Sequence, residues 1–253
     1  MEKRLLGKSG IDASNIGLGT YYFGGGDGTS PPSSKDIIDM IHSALDHSIN
    51  LLDTAPSYGF GHCEKIIGKA LKGRRDQAVI ATKCGLWWQD RRGSPNGQKD
   101  GKDQYISLRP DTIRIEVENS LRYLNTDYLD LLQVHKPAIP PEETPIEETM
   151  ACLMELKQEG KIRAIGVCNV SLEQLQRYDS AGELATNQFR YSMIHKNPEL
   201  DILPYCLEND IGSITYMSLE QGLLTGKINF ERKFEEHDWR NNAGQWLPWF
   251  KKE

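Results

Sequence analysis

Three polar residues stand at the ends of short apolar runs: Asp53 after "NLL", Lys83 after "QAVIAT" and His135 after "YLDLLQV". Tyr58 lies five residues beyond Asp53, in the glycine-bracketed stretch "DTAPSYGFGH". Taken singly, each has an ordinary reading: a helix cap, a packed loop aromatic, a solvated strand end, a satisfied loop histidine. Together they make a proton-transfer set. A lysine ammonium beside a phenol favours the phenolate, and an aspartate beside that lysine keeps its charge in place and aimed. On that reasoning Tyr58 is expected below the ordinary tyrosine value of about 10, able to give up a proton near neutral pH. His135 would orient a substrate oxygen or relay a proton. Such equipment suits reduction of a carbonyl, in which a proton reaches oxygen as hydride reaches carbon. No side chain supplies hydride, so a redox cofactor is implied.

The elements that must position these residues form one recurring unit. Apolar runs at "NIGLGT" (15–20), "NLLDT" (50–54), "QAVIATK" (77–83), "YLDLLQVH" (128–135), "IRAIGVCN" (162–169), "LATNQF" (184–189) and "IGSITYM" (211–217) read as strands. Runs of helical period lie between them, at 33–47, 62–72, 109–124, 144–160, 171–180 and 196–208. Alternating strands and helices imply parallel pairing with right-handed crossovers, and near-continuous apolar strands imply cover on both faces. A doubly wound dinucleotide fold would open its first helix with G-x-G-x-x-G, a spacing that "GLGTYYFGGG" lacks. A (β/α)8 TIM barrel instead gathers polar residues past the C-terminal ends of its strands. Thr20, Asp53, Lys83, His135, Asn169, Gln188 and Tyr216 follow that rule.

The sequence therefore predicts a single α/β barrel domain over 1–253. Its "KRLLGKSGIDAS" segment reads as an N-terminal β-hairpin plugging the barrel's N-terminal mouth. An eighth β/α unit is not evident after Lys227. A barrel one strand short leaves two unpaired edges, so either the intact protein continues past Glu253 or the residues after Lys227 are disordered or packed on a neighbour. Trp239, Trp246 and Trp249 are expected to dock on a segment lying beyond. The Gly/Pro/Asp-rich stretch at 84–101 reads as a long loop, with Trp87 and Trp88 as candidate walls of a substrate pocket.

Composition narrows the function classes. The 253 residues carry a formal charge of −6 with no basic stripe, which argues against a nucleic-acid partner. No run approaches the roughly 18 apolar residues of a membrane span, and "MEKRLLGKSG" has no apolar leader core. Five scattered cysteines without a C-x-x-C pair read as reduced thiols in a cytoplasmic protein, with no metal site.

The segments "GLGT", "NLLDTAPSYGFGHCEKIIG", "IATK", "YLDLLQVHKP", "GKIRAIGVCN", "NQFRYS" and "YMSLEQGLLTGK" occur in order over residues 3 to 230. Together they resemble the aldo-keto reductase superfamily, its bacterial members and the related potassium-channel β subunits. The resemblance implies NADPH-dependent reduction of a small aldehyde or ketone, with Asp53, Tyr58, Lys83 and His135 as catalytic residues and Tyr58 as the acid. It further implies that Asn169 and Gln188 hold the nicotinamide carboxamide and that Tyr216 stacks on its ring. Thr20, Tyr21 and Asp53 would complete that pocket, and Ser218, Leu219, Gly222 and Lys227 would wrap the pyrophosphate. The chain departs from the family at Cys168, where serine is usual, and at Met217-Ser218, where Ser-Pro is usual. The eighth strand and final helix that grip the adenosine 2′-phosphate find no match. Two other readings are a non-catalytic nicotinamide-binding regulator and a barrel remnant without cofactor. His135 favours an enzyme over the first, because the channel subunits commonly carry another polar residue there.

Overall fold

The computed structural model describes residues 1–25, 31–229, 232–234, 236, 238–245 and 247. The chain opens with an antiparallel hairpin, β1 (Lys3–Leu5) and β2 (Asp12–Ser14), in which Lys3 faces Ser14. Strand β3 (Gly17–Gly19) then starts a parallel sheet. Helix α1 (Ser34–Asp46) follows, where Ser33 accepts from the Asp36 amide and Ile37, Ile41 and Leu45 bury one face at four-residue spacing. Next come β4 (Leu51–Asp53), α2 (His62–Ala70) and β5 (Val79–Cys84).

The stretch after β5 is not a loop. It folds as a small antiparallel sheet of β6 (Leu86–Trp87), β7 (Ser94–Lys99) and β8 (Lys102–Ile106), in the order β6-β8-β7. β7 and the start of β8 are polar and carry no apolar alternation, and β6 is too short to show one, so nothing in the sequence pattern marks them; the turn glycines Gly93 and Gly101 adopt positive φ. The barrel then resumes with α3 (Pro110–Leu124), β9 (Leu129–Val134), α4 (Ile146–Gln158), β10 (Ile162–Cys168), α5 (Leu172–Ala181), β11 (Leu184–Arg190), α6 (Ile202–Glu208) and β12 (Gly212–Tyr216). Two helices start later than their sequence pattern suggests. Pro145 caps α4 instead of entering it, and a short 3-10 turn at Asn197–Glu199 precedes α6, which is capped by Asp201.

All seven expected strands pair in parallel in chain order, β3-β4-β5-β9-β10-β11-β12, and the helices cover the outside. This is the (β/α)8 TIM-barrel architecture with seven strands in place. Ile80, Leu132 and Ile165 meet Ile66, Val117 and Leu153 in the outer core. A second core lies inside the curl, where Leu6, Ile11 and Ala13 of the hairpin pack on Leu51, Val79, Ala81, Leu131, Ala164 and Ala185. The hairpin therefore plugs the N-terminal mouth. Gly7 makes the fit possible: with φ 51, a Cβ there would sit 2.2 Å from the Ala185 carbonyl oxygen.

Strands β3 and β12 end the sheet, and among the described residues no eighth strand joins them. Burial follows that position: β5 and β9 are buried throughout, whereas β12 alternates between half-buried and exposed. A cavity of ≈ 2040 Å³ runs between these edges, from Leu6 and Ala13 up to Asp53 and Tyr58. The placement expected for Trp246 and Trp249, and for the Trp239 side chain, lies outside the described residues. Among the described residues, no helix is long and apolar enough to cross a membrane.

Candidate active site

Strand register sets the site. Asp53 pairs with Gly19 on one side and Ala81 on the other, Lys83 pairs with Gln133, and Cys168 pairs with Gln188. These C-terminal strand ends gather one layer of polar groups, of which Asp53 and Gln188 line the cavity while Lys83, Gln133 and Cys168 lie buried behind them. Tyr58 reaches the layer from the loop after β4. That loop turns tightly, its Gly61 amide donating to the Pro56 carbonyl at 2.7 Å. It also touches the Tyr21–Gly24 turn through two glycines, since a Cβ on Gly24 would lie 2.6 Å from the Gly59 nitrogen.

Lys83 is the hub, 1% exposed. Its Nζ donates to both Asp53 carboxylate oxygens at 2.9 Å, to the Thr54 carbonyl at 3.0 Å and to the Tyr58 hydroxyl at 3.3 Å. Asp53 also accepts from Gln188 Nε2 at 2.8 Å. Burial works against the ammonium, but Asp53 and the Tyr58 oxygen more than offset it, so the Lys83 pKa is raised and the side chain stays charged. Tyr58 runs against the sequence expectation. Burial pushes its phenol up to about 12, outweighing the pull of Lys83 in the other direction. The expected fall below the ordinary value is thus corrected: adjacency to a lysine was legible, desolvation was not. His135 is half-buried, its ring 5.9 Å from that of Tyr58 and edge-on. Burial, then the positive charges of Lys83, Lys136 and Lys99, hold its pKa well below the usual histidine value, leaving a neutral imidazole.

The residues expected to hold a cofactor separate into two groups. Asn169, with φ 59, donates from Nδ2 to the His135 carbonyl at 3.1 Å and accepts from the Tyr216 hydroxyl at 2.7 Å. With Gln188, Tyr21, Ser218, Leu219 and Gly222, these residues line the cavity. Thr20 does not: it is fully buried, its hydroxyl donating to the Asp53 carbonyl at 3.0 Å. Lys227 is exposed and also away from the lining, its amide donating to Thr225 Oγ1 at 3.2 Å. The loop carrying Ser218 and Gly222 is pinned from beneath. Glu220, 0% exposed, accepts from Arg190 and Ser192 at 2.5 Å each, while Met217, Glu220, Gln221 and Gly222 all take positive φ. Two carboxamides and an aromatic ring on one wall, with a tight glycine-containing loop below them, fit the carboxamide, ring and phosphates of a nicotinamide dinucleotide.

Neither tryptophan of the excursion reaches the cavity. Trp87 is 1% exposed, its indole N–H donating to Asp90 at 2.7 Å under the Arg92 guanidinium. Trp88 stacks edge-on against Phe60. Other residues do approach the site that sequence reading passed over. Gln133 and Cys168 belong to its inner layer, the thiol lying 3.5 Å from Gln188 Oε1 and 3.7 Å from Gln133 Oε1. Gln133 was detectable, because residues two apart on a strand share a face and it stands two before His135. Arg240 donates to the Gln221 carbonyl at 3.4 Å and lines the cavity, a tertiary contact with no local signal. Among the described residues, no group of three or more His, Cys, Asp or Glu side chains is arranged to hold a metal ion.

Comparison with known proteins places the whole chain in one family. The Aldo/keto reductase family profile matches residues 15–252. The chain is 45% identical over 230 residues to the NADH-specific methylglyoxal reductase of Escherichia coli (strain K12), covering 90% of this chain and 70% of that protein. The structure of the glycerol dehydrogenase AKR11B4 from Gluconobacter oxydans superposes with a TM-score of 0.84 at 39% identity, covering 99% of this chain and 72% of that one. An aldo-keto reductase from Klebsiella pneumoniae in complex with NADPH gives a TM-score of 0.69 at 28% identity, covering 88% and 70%. With its sequence matched over residues 15–252 and its barrel superposed, the chain belongs to the aldo/keto reductase family, oxidoreductases that use a nicotinamide cofactor to turn a carbonyl into an alcohol.

Proposed function

We propose that this protein reduces a short aldehyde or ketone with Tyr58 as the general acid. The observation that carries the reading is the buried Lys83 ammonium, which touches both Asp53 and the Tyr58 hydroxyl. A bound nicotinamide supplies the hydride. Tyr58 gives its proton to the carbonyl oxygen, and Lys83 stabilises the phenolate left behind. Asp53 keeps Lys83 charged and aimed; Gln188 in turn fixes Asp53. The neutral His135 imidazole donates a hydrogen bond that orients the carbonyl oxygen. Asn169 and Gln188 would hold the nicotinamide carboxamide, Tyr216 and Tyr21 its ring, and the loop of Ser218, Leu219 and Gly222 the pyrophosphate. Thr20 would support this pocket through its bond to the Asp53 carbonyl, and Lys227 the phosphate loop through its bond to Thr225.

NADPH is the proposed reductant, supported by the NADPH complex of the Klebsiella pneumoniae neighbour. NADH is a second reading, favoured by the NADH-specific Escherichia coli relative. The names of the relatives suggest short polar carbonyls as substrates. The five cysteines, all free and buried, support a reducing, cytoplasmic setting. The test is oxidation of NADPH and of NADH by the purified protein with methylglyoxal and with glyceraldehyde. Turnover with at least one pair is expected, with kcat/KM deciding between the cofactors. No turnover in any pair, with the protein folded, would overturn the proposal.

A further inference from the structure

The β7–β8 hairpin brings to the site a cation that the proposed mechanism does not use. Lys99 closes β7 and is half-buried. Its Nζ lies 4.7 Å from the centre of the Tyr21 ring and 6.0 Å from that of Tyr58. Lys102 opens β8 and sits 4.4 Å from the centre of the Phe60 ring, beside Trp88. Lys136 follows directly on His135. Among the described residues, none of these three lysines is in an ion pair, whereas Lys83 is held by Asp53 and Arg92 by Asp90 and Asp111. The hairpin's Asp103 is engaged elsewhere, accepting from Gln98 Nε2 at 2.7 Å.

An ammonium resting on aromatic faces is held by their quadrupoles, so Lys99 is aimed at the site instead of trailing into solvent. Its field reaches the reacting atoms, since Lys99 and Lys136 both contribute to keeping His135 neutral. A substrate carbonyl bonded to Tyr58 and His135 would therefore place its neighbouring substituents under positive charge that no described carboxylate pairs with. Resting on the carbonyl-reductase reading above, we infer that Lys99, with Lys102 and Lys136 adding to its field, recognises an anionic group carried a few bonds from the substrate carbonyl. The preferred substrates are then aldehydes or ketones bearing a carboxylate or a phosphate.

Matched pairs test this: butanal against succinic semialdehyde, and glyceraldehyde against glyceraldehyde 3-phosphate. The quantity read is the ratio of kcat/KM for the charged over the neutral member, in wild type, Lys99→Met and Lys99→Arg. Methionine keeps most of the apolar stem that covers Tyr21, so the ratio isolates the charge. Wild type should favour the anionic member of at least one pair by about tenfold, or 1.4 kcal/mol. That preference should largely vanish in Lys99→Met, persist in Lys99→Arg, and shrink in wild type at about 1 M salt, where the screening length is only about 3 Å. Preference within one pair alone identifies which anion is read. A wild-type ratio near one in both pairs, or one that Lys99→Met leaves unchanged, overturns the inference while the reductase reading stands. Turnover of no member of either pair overturns the inference, and the reductase reading falls with it only if methylglyoxal is not reduced either.

Discussion

Removing one oxygen, in Tyr58→Phe, separates the proposed chemistry from the fold. The ring keeps its edge-on contacts with Tyr21 at 5.1 Å and His135 at 5.9 Å. Lys83 loses the longest of its four contacts, at 3.3 Å, and keeps both Asp53 oxygens and the Thr54 carbonyl. One such hydrogen bond is worth about 1 kcal/mol, against roughly 5–15 kcal/mol for a whole domain, so the variant should fold and bind cofactor. The loss of a positioned acid should slow hydride transfer by about 10²–10⁴-fold, close to 3–5 kcal/mol of barrier. Single-turnover cofactor oxidation at saturating cofactor reads this step. The wild-type pH profile supplies an independent check. With the phenol at about 12, Tyr58 remains protonated from pH 6 to 10. Carbonyl reduction should be flat over that range, while alcohol oxidation, which needs the phenolate, should climb about tenfold per pH unit. A phenylalanine variant within a few-fold of wild type, or a reduction rate falling with an apparent pKa near neutrality, would refute the assignment.

Glu64 should make stability fall as pH rises. It is 0% exposed, accepts from Thr82 Oγ1 at 2.7 Å, and burial pushes its pKa up from 4.5 to about 7. The folded state thus binds its proton more tightly than the unfolded chain. The protonated acid is fully tolerated below about pH 4.5, and about 3 kcal/mol is lost by the time pH has risen through 7. Glu64→Gln should remove that slope, giving a variant more stable than wild type at pH 8 but not at pH 4.5; parallel slopes in urea unfolding would refute it. Glu220→Ala should free the 217–226 loop by deleting its bonds to Arg190 and Ser192. Cofactor dissociation constants from calorimetry should rise about 10- to 150-fold, and unchanged binding would show that the loop holds its shape unaided.

The barrel was legible because parallel strands covered on both faces are buried along their length and mostly apolar; β5 and β9, buried at every position, are the clearest cases. Asp53, Lys83 and His135 were legible for a related reason, as polar residues closing apolar runs. What stayed hidden depends on tertiary surroundings. β7 and the first half of β8 are polar with several exposed positions, and β6 is only two residues long, so the strands of this sheet show no apolar period. Trp87 could not be assigned from sequence to the packing of that sheet instead of to a pocket wall. The direction of the Tyr58 shift required knowing how deeply the phenol is desolvated, a quantity no spacing rule contains. Lys99 is separated from Tyr21 by most of the first three β/α units, and only the folded hairpin brings the two together.

The seating of Gly7 against Ala185 and Gly212 bears on the order in which the chain matures. Each parallel strand pairs with the strand made just before it, so the sheet can lengthen locally as the polypeptide emerges from the ribosome. The N-terminal plug cannot be seated that way. Its first residues are synthesised earliest, yet the last of their partners exists only once Gly212 has been made. Closing so long a loop is a late and entropically costly step. A chain halted before β12 can rest Leu6 and Ile11 on the earlier strands but lacks the Gly212 backbone that closes on Gly7, which leaves its N-terminus more open to proteases. Final seating of the plug thus reports that β12 has been laid down.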